Sequence, residues 1–327
     1  MTLTQLRYLV AIADAGLNIT LAAERVHATQ PGLSKLLKQL EDELGFQLFH
    51  RKGRSLDSIT HAGSHVLERA RTILAEATNI RSIAANLRNE SHGTLRVATT
   101  HTQARFALPG AVAALNRQYP QVSVHLLPST DGDVIGLLEG GHVDLAIVST
   151  SGTAPPGNGI ALPAYRWNRI VVVPEHHALA QLERPPTLDE LAAHPLVSYD
   201  SSLKPTSSLA RAFHAANLHP QIAMTASDAD LIKTYVRAGL GIGVLAEMAS
   251  APGDADLRVL SADHLFAPCT TWIVLRKESV LREYALEFIG LFAPHLERRA
   301  VSRVLAGGGG ATHWPAVPHW RERVVEV

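Results

Sequence analysis

The chain has 327 residues, more than one compact core usually serves, so two or three domains are expected. Hydrophobic residues make up 46% and charged residues 18%, the balance of a globular protein rather than a disordered or fibrous one. The formal net charge is zero, which excludes a basic coat over the whole surface but not one local basic face. The single cysteine, Cys269, excludes an intrachain disulfide. Together with an opening stretch that carries no leader-like pattern, it points to a reducing cytoplasm.

The opening run MTLTQLRYLVAIADAG is too short and too polar to span a membrane, so no membrane partner is expected. It reads as an amphipathic helix over about 4–15, with Leu6, Leu9, Val10 and Ala13 on one face. A second short helix fits about 20–26, around the alanine pair of TLAAERV. The polar turn HATQ leads to a third, with Pro31 suited to its first turn and Gly45 to its end.

On that third helix Leu33, Leu36, Leu37, Leu40 and Leu44 share one side, and Ser34, Lys35 and Lys38 the other. This is the layout of a helix-turn-helix, in which one helix packs across and the next offers a polar face to the major groove of DNA. Gln30 and Ser34 can reach base edges or phosphates, and Lys35 and Lys38 phosphates. A small helical bundle with merely solvated lysines would show the same leucine face. The next segment, QLFHRKGRSLDSIT, sets Arg51, Lys52 and Arg54 around Gly53 between short apolar runs. That predicts a two-stranded wing with a basic tip able to enter the minor groove.

A long helix is expected over about 61–90. Val66, Ala70, Ile73, Ala77, Ile80, Ala84 and Leu87 follow one another at alternating steps of four and three, an a/d seam. Packing on its own protein is one use of such a stripe. Pairing with a second copy is the expected one, because the stripe is narrow and alanine-rich, and a pair presents two recognition helices to two half-sites.

These ninety residues resemble the DNA-binding domain of LysR-type transcriptional regulators. The TQPGLS, LEDELG and LFHR elements and the AG at Ala62–Gly63 all sit where that family has them; SIT stands where LT or VT is common. The resemblance adds Pro31 to the DNA-facing residues. It implies double-stranded promoter DNA as a partner, RNA polymerase as a further one, and a four-chain assembly; the seam alone argues only for pairs.

Beyond about residue 91 strands alternate with helices. Strands are expected at 94–99, 122–127, 144–149, 169–174, 196–199 and 271–275, and a helix at 227–238. This predicts an α/β arrangement with mainly parallel sheets, whose ligands sit beyond the carboxyl ends of the strands. TTHTQAR, 99–105, follows the first of these strands and precedes a helix beginning near Gln103. Free N–H groups, threonine hydroxyls and a glutamine amide suit an anion held without any full positive charge in first contact. For any one threonine, helix capping is the competing use.

TTHTQARFALP, LPAYRWNRIVVVPEHHALA, HPLVSY and TASDADLIKTYVRAGLGIGVLAEMA resemble the effector domain of the CysB-like branch of the same family. The resemblance covers roughly residues 1–300. It implies a regulator of sulfur-assimilation genes that senses sulfate, acetylserine or a related small anion, with no cofactor, no metal and no enzymatic activity. The fold it implies is a winged helix-turn-helix domain over 1–60 and a linker helix over 61–90. A two-lobed, periplasmic-binding-protein-like α/β effector domain follows over 91–305, its lobes 91–163 plus 268–305 and 164–267. Carried over by position, the anion contacts are Thr100, Thr102, Gln103 and Ser149, with Trp167 near the pocket wall. Where the branch has an FTGRS loop, this chain has LKPTS. Lys204 replaces a ligand-contacting threonine, Pro205 a glycine, and Thr206 stands where the arginine would be.

Other features carry less. His176 and His177 have no third ligand at useful spacing, and His101 is expected only to orient its loop. GLGIGV, 239–244, follows a helix and so has the wrong order for a dinucleotide fingerprint; it ends one helix and starts a strand. Cys269 lacks a base pattern. A last helix is expected over 280–304, then a flexible glycine-rich tail, 306–327, in which Trp314 and Trp320 fray or dock on another subunit. A different class, an α/β enzyme or binding protein with a helical head, would need a nucleophile–base set or an export signal, and the sequence offers neither.

Overall fold

Thr2 opens the first helix, α1 (Leu3–Asp14): its hydroxyl accepts the Gln5 N–H at 3.2 Å while the Gln5 side chain accepts the Thr2 N–H at 2.8 Å. Asn18 caps α2 (Ile19–Arg25) and Thr29 caps α3 (Gln30–Leu44), which carries Pro31 in its first turn and ends on Gly45 at φ 79°. A left-handed residue there releases the chain sideways, which glycine does without Cβ strain. Leu6, Leu9 and Ile12 of α1 meet Leu33, Leu37 and Leu40 of α3 in one buried core that also takes Leu48 and Phe49. The strands β1 (Phe49–Lys52) and β2 (Ser55–Ile59) form an antiparallel hairpin that turns at Gly53, φ 65°. Thr60 then caps α4 (His61–Leu87): its hydroxyl accepts the Gly63 N–H at 2.8 Å and donates to the Gln47 carbonyl at 2.9 Å.

The computed structural model describes residues 1–53, 55–251, 253–307 and 314–323, so Arg54 of the basic tip lies outside the described residues. The chain divides into two units, 1–88 and 89–327. The helix assigned to a separate linker belongs to the first of them. Its expected seam is split: Val66 and Ala70 pack into the first unit's own core, because α1 lies across the start of α4. Ile80 is 66% and Leu87 80% exposed.

The second unit holds two five-stranded sheets. β3 (Gly93–Thr99) leads through a π-helical turn, Gln103–Ala107, into α5 (Pro109–Gln118). Then come β4 (Val122–Pro128), α6 (Asp131–Glu139), β5 (Leu145–Ser151) and β6 (Ile160–Trp167). The chain crosses to the other sheet for β7 (Arg169–Pro174), α7 (Leu188–Ala192), β8 (Leu196–Tyr199), α8 (Ser208–Ala215) and β9 (Ile222–Ala226). α9 (Ala229–Arg237), β10 (Ile242–Ala246) and β11 (Leu257–Ser261) complete that lobe. β12 (Cys269–Leu275), α10 (Glu283–Phe292) and α11 (Arg298–Leu305) return to the first. The strand orders are β4-β3-β5-β12-β6 and β11-β7-β10-β8-β9.

Several expectations are corrected. The sheets are mixed rather than mainly parallel: each has two parallel and two antiparallel pairings, because both strands that follow a crossing enter against their neighbours. β6 stays in the first sheet through Trp167, so the crossing falls at Asn168 and not at 164. The helix expected over 280–304 is two helices. Pro294 disfavours helical backbone at the residue before it, and Ala293 sits at φ −135°, ψ 74°. The run after the GLG turn does become a strand, β10. The terminal segment is not frayed over 314–323: Trp314 and Trp320 pack on their own unit's core. Most of the glycine run, 308–310, lies outside the described residues.

Gly63 shows how tightly the first unit closes. A Cβ placed there would meet the Leu48 carbonyl oxygen at 2.1 Å, a backbone atom that cannot swing away. Gly63→Ala is expected to lower the stability of the first unit by about 1–3 kcal/mol. Chemical denaturation followed by circular dichroism reads the shift, and an unchanged midpoint would show that α4 does not seat on the hairpin as described.

Candidate functional site

Between the two lobes of the second unit lies a cavity of about 610 Å³. Its floor is the end of β3 and the π-turn that follows. In that turn the Leu108 N–H reaches back five residues to the Gln103 carbonyl, at 3.1 Å. π-Turns recur at functional sites because the extra residue redirects a side chain. Here Gln103 is buried and points into a hydroxyl cluster. Its Nε2 stands 3.3 Å from Ser149 Oγ and 3.4 Å from Thr271 Oγ1, and those hydroxyls are 2.9 Å apart. The Tyr165 hydroxyl donates to the Gln103 amide oxygen, which leaves the amide's N–H groups for the cluster. Burial pushes the Tyr165 hydroxyl up to about 12, so it remains a donor. The Trp167 indole N–H reaches Ser149 Oγ at 3.2 Å.

The opposite wall comes from the second lobe. Arg169, the first residue of β7, is only 5% exposed. Its Nε donates to Ser208 Oγ at 2.8 Å and its Nη1 to Ser202 Oγ at 3.0 Å. Among the described residues no carboxylate lies within ion-pair distance of this guanidinium. Ser207 caps α8, its hydroxyl accepting the Ala210 N–H at 3.0 Å. The next amide, Ser208 N–H, crosses to Ser151 Oγ on β5 at 2.7 Å, linking the two lobes. Asp131, at the start of α6, closes one side; burial pushes its carboxyl up, while a bond from Ser201 and the charges of Lys204 and Arg169 pull it back.

The structure places all seven candidate effector residues in this lining: Thr100, Thr102, Gln103, Ser149, Trp167, Lys204 and Thr206. Thr102 and Gln103 are buried, whereas Lys204 and Thr206 are exposed and stand at the rim. His101 is exposed and lies outside the lining. One expectation changes: the wall is not free of full positive charge, because Arg169 and Arg211 line it too. Sequence reasoning passed over Arg169. Its signal was a lone charge opening the otherwise apolar run RIVVVP, a residue type that a doubly covered strand does not bury without a use. Thr271 and Tyr165 were missed because only folding brings β12 beside β5 and β6 beside β12.

In the first unit, Ser34, Lys35, Lys38 and Arg51 line one open hollow between α3 and the hairpin. Gln30 and Pro31 are exposed one turn earlier, with Gln30 Nε2 3.3 Å from Ser34 Oγ. Lys35, Lys38 and Lys52 are exposed. Arg51 is also ion-paired with the nearly buried Glu41 at 3.0 Å, and Glu41 accepts the Leu48 N–H at 2.9 Å, so Arg51 helps fasten the hairpin to α3. Of the other candidates, His177 stacks edge-on against His194 at 4.7 Å, and no trio of metal-ligand side chains occurs among the described residues. Cys269 is buried, with its sulfur 3.7 Å from Ser208 Oγ.

Two family models match the chain: the bacterial regulatory helix-turn-helix protein, lysR family, over residues 3–64, and the LysR substrate binding domain over residues 88–297. The HTH-type transcriptional regulator CysB of Haemophilus influenzae is 42% identical over 303 residues, 93% of each chain. The HTH-type transcriptional regulator SsuR of Burkholderia cenocepacia is 38% identical over 306 residues, 93% of this chain and 99% of that one. Among solved structures, the cofactor-binding domain of the Cbl transcriptional regulator superposes with a TM-score of 0.61 at 34% identity, covering 66% of this chain and 94% of that one.

A buried guanidinium whose hydrogen bonds go to two serine hydroxyls, with the Trp167 ring 6.0 Å away and no carboxylate paired to it among the described residues, gains from an added anion. Arg169→Met, which keeps the side chain's bulk, is expected to weaken anion binding about tenfold to a hundredfold. Isothermal titration with sulfate and with acetylserine measures this, and equal affinities for variant and parent would remove Arg169 from the site.

Proposed function

The chain belongs to the LysR family of helix-turn-helix transcriptional regulators, and from that premise we propose that it is a cytoplasmic, DNA-binding regulator of sulfur-assimilation genes that senses a small anion in the cavity of its second unit. The observation that carries the sensing half is Arg169: a guanidinium buried beside a cavity, held by Ser202 and Ser208, with no carboxylate in ion-pair reach. Burying a charge is costly unless a counter-charge or strong hydrogen bonds compensate it. A sulfate- or carboxylate-bearing effector supplies that counter-charge. Gln103, Thr100, Thr102 and Ser149 then offer neutral donors from the facing lobe. A volume of about 610 Å³ exceeds what a bare sulfate fills, which favours an organic anion such as acetylserine or a larger sulfur metabolite.

The DNA half rests on α3 and the hairpin. α3 buries Leu33, Leu37 and Leu40, keeps Leu36 and Leu44 only half-buried, and leaves Gln30, Ser34, Lys35 and Lys38 on its outer side, and Lys52 stands on the strand beside it. Phosphate contacts by the lysines position the helix, and Gln30 and Ser34 read base edges. The exposed Ile73, Ile80 and Leu87 recur every seven residues along α4, with Ile83 beside them, and suit pairing with a second copy of the same helix. Two pairs then make the four-chain assembly, with RNA polymerase as the further partner. The relatives are named as regulators, and the reading here is regulation without catalysis. An effector acts only through its preference for one arrangement of the lobes over another.

Footprinting on the DNA upstream of the chain's own gene, with and without sulfate, acetylserine and sulfonates, is expected to show paired half-sites. Lys35→Ala is expected to reduce the slope of log affinity against log salt by about 1, uniformly across sequences. No protection at any salt concentration would overturn the DNA half. Lys204→Thr, which restores the residue type usual in the CysB-like branch, is expected to change the ranking of sulfur-containing anions by calorimetry. An identical ranking would place Lys204 outside the recognition surface.

A further inference from the structure

Residues 314–323 return to the second unit and straddle the crossing between its lobes. The Pro318 carbonyl accepts the Arg166 N–H at 2.8 Å, and Arg166 and His319 form a parallel bridge, which fixes the segment to β6 of the first lobe. His319 Nε2 lies 3.3 Å from Asn168 Nδ2 and 3.0 Å from Glu247 Oε1. Arg321 Nε donates to Glu247 Oε2 at 3.1 Å. Glu247 follows directly on β10 of the second lobe, and its side chain is only 3% exposed. It is also tied to the crossing residue in both directions: Asn168 N–H donates to Glu247 Oε1 at 2.8 Å, and Glu247 N–H to the Asn168 carbonyl at 3.0 Å. One short segment therefore grips the first lobe, the single residue between the sheets and the second lobe together.

Its last described residue reaches further. The Arg323 guanidinium lies 4.4 Å from the centre of the Tyr165 ring, 4.6 Å from Phe292 and 5.0 Å from Trp320. Its Nη2 donates to the Phe292 carbonyl at 2.8 Å, while Nε and Nη1 are buried without a hydrogen-bond partner. The aromatic faces are what meet this cation, an attraction that strengthens with desolvation. Tyr165 is the residue whose hydroxyl sets the Gln103 amide in the cavity. Pressure on one face of that ring is thus one residue away from the effector's donors.

We propose that residues 314–323 are a clasp built into the sensor: docked, they lock the Asn168–Glu247 crossing, and Arg323 acts as a positioning residue that holds Gln103 toward the effector through Tyr165. The proposal rests on the anion reading of the cavity. Because linkage is reciprocal, clasp docking and anion binding strengthen each other by one factor.

The test uses the full chain, a chain ending at residue 307, and the variants Arg323→Gln, Tyr165→Phe and both together. The truncated chain is expected to exchange the Arg166, Asn168 and Glu247 amides with deuterium faster, and to bind sulfate or acetylserine about tenfold more weakly. A synthetic peptide of residues 314–323 restores both. The double variant loses no more affinity than the worse single one, which a general loss of stability would not produce. If the truncation fails to fold, Arg323→Gln carries the same two readouts. Unchanged exchange at the crossing overturns the clasp, and losses that simply add in the double variant overturn the positioning role. If the parent chain binds neither anion, the anion reading falls while the exchange measurements still decide the clasp.

Discussion

A guanidinium out of water needs partners, and the way Arg169 finds them organises the second unit. It sits at the first position of β7, one residue after the chain leaves the first sheet. Its hydrogen bonds go to Ser202, in the short turn after β8, and to Ser208, in the first turn of α8. Ser207 caps α8 and donates to the Ser202 carbonyl, while the Ser198 hydroxyl donates to Ser202 Oγ at 3.0 Å, and together they hold those two hydroxyls in place. The same turn sends the Ser208 amide to Ser151 on the other lobe. One buried charge thus fixes the loop that forms the cavity's wall and the point where the lobes touch.

The facing lobe is built on the opposite principle. There, apart from the Asp131 carboxyl at the start of α6, the polar groups are neutral and bonded to one another: the Tyr165 hydroxyl to the Gln103 oxygen, the Gln103 amide to Ser149 and Thr271, the Trp167 indole to Ser149. Such a network stays rigid because each member's orientation is set by the next. A cationic wall against a pre-set wall of neutral donors suits a small anion. The π-turn at Gln103 and the tyrosine behind it fix the direction of the amide.

The first unit answers to a different constraint, the seating of its outermost elements. Glu41, nearly buried at the end of α3, takes the Leu48 amide and the Arg51 guanidinium. Thr60 takes the Gly63 amide and gives its proton to the Gln47 carbonyl. Between them they tie helix, hairpin and α4 into one body, so the basic hairpin keeps a fixed setting beside the recognition helix. Arg51 serves that fastening through its ion pair with Glu41.

Local signals in the sequence were enough for the helices of the first unit. Their caps, leucine spacing, Pro31 and Gly45 act within a turn or two, so nothing distant needed to be known. The strands covered on both faces, such as RIVVVP and LVSY, were equally legible from their largely apolar runs. So was the TTHTQAR turn, in which Thr100, Thr102 and Gln103 line the cavity while Thr99 is buried away from it. What tertiary structure alone decided was every partnership across long separations. Thr271 and Tyr165 join Gln103 only because β12 and β6 lie in the same sheet as β5. The direction of β12 was not written in its own residues. Arg169 faces the cavity because the crossing falls at Asn168, and the fate of the terminal tryptophans depended on an aromatic surface assembled from β6 and α10. Short-range periodicity fixes which face of an element is buried; which other element buries it is settled by the free energy of the whole packed unit.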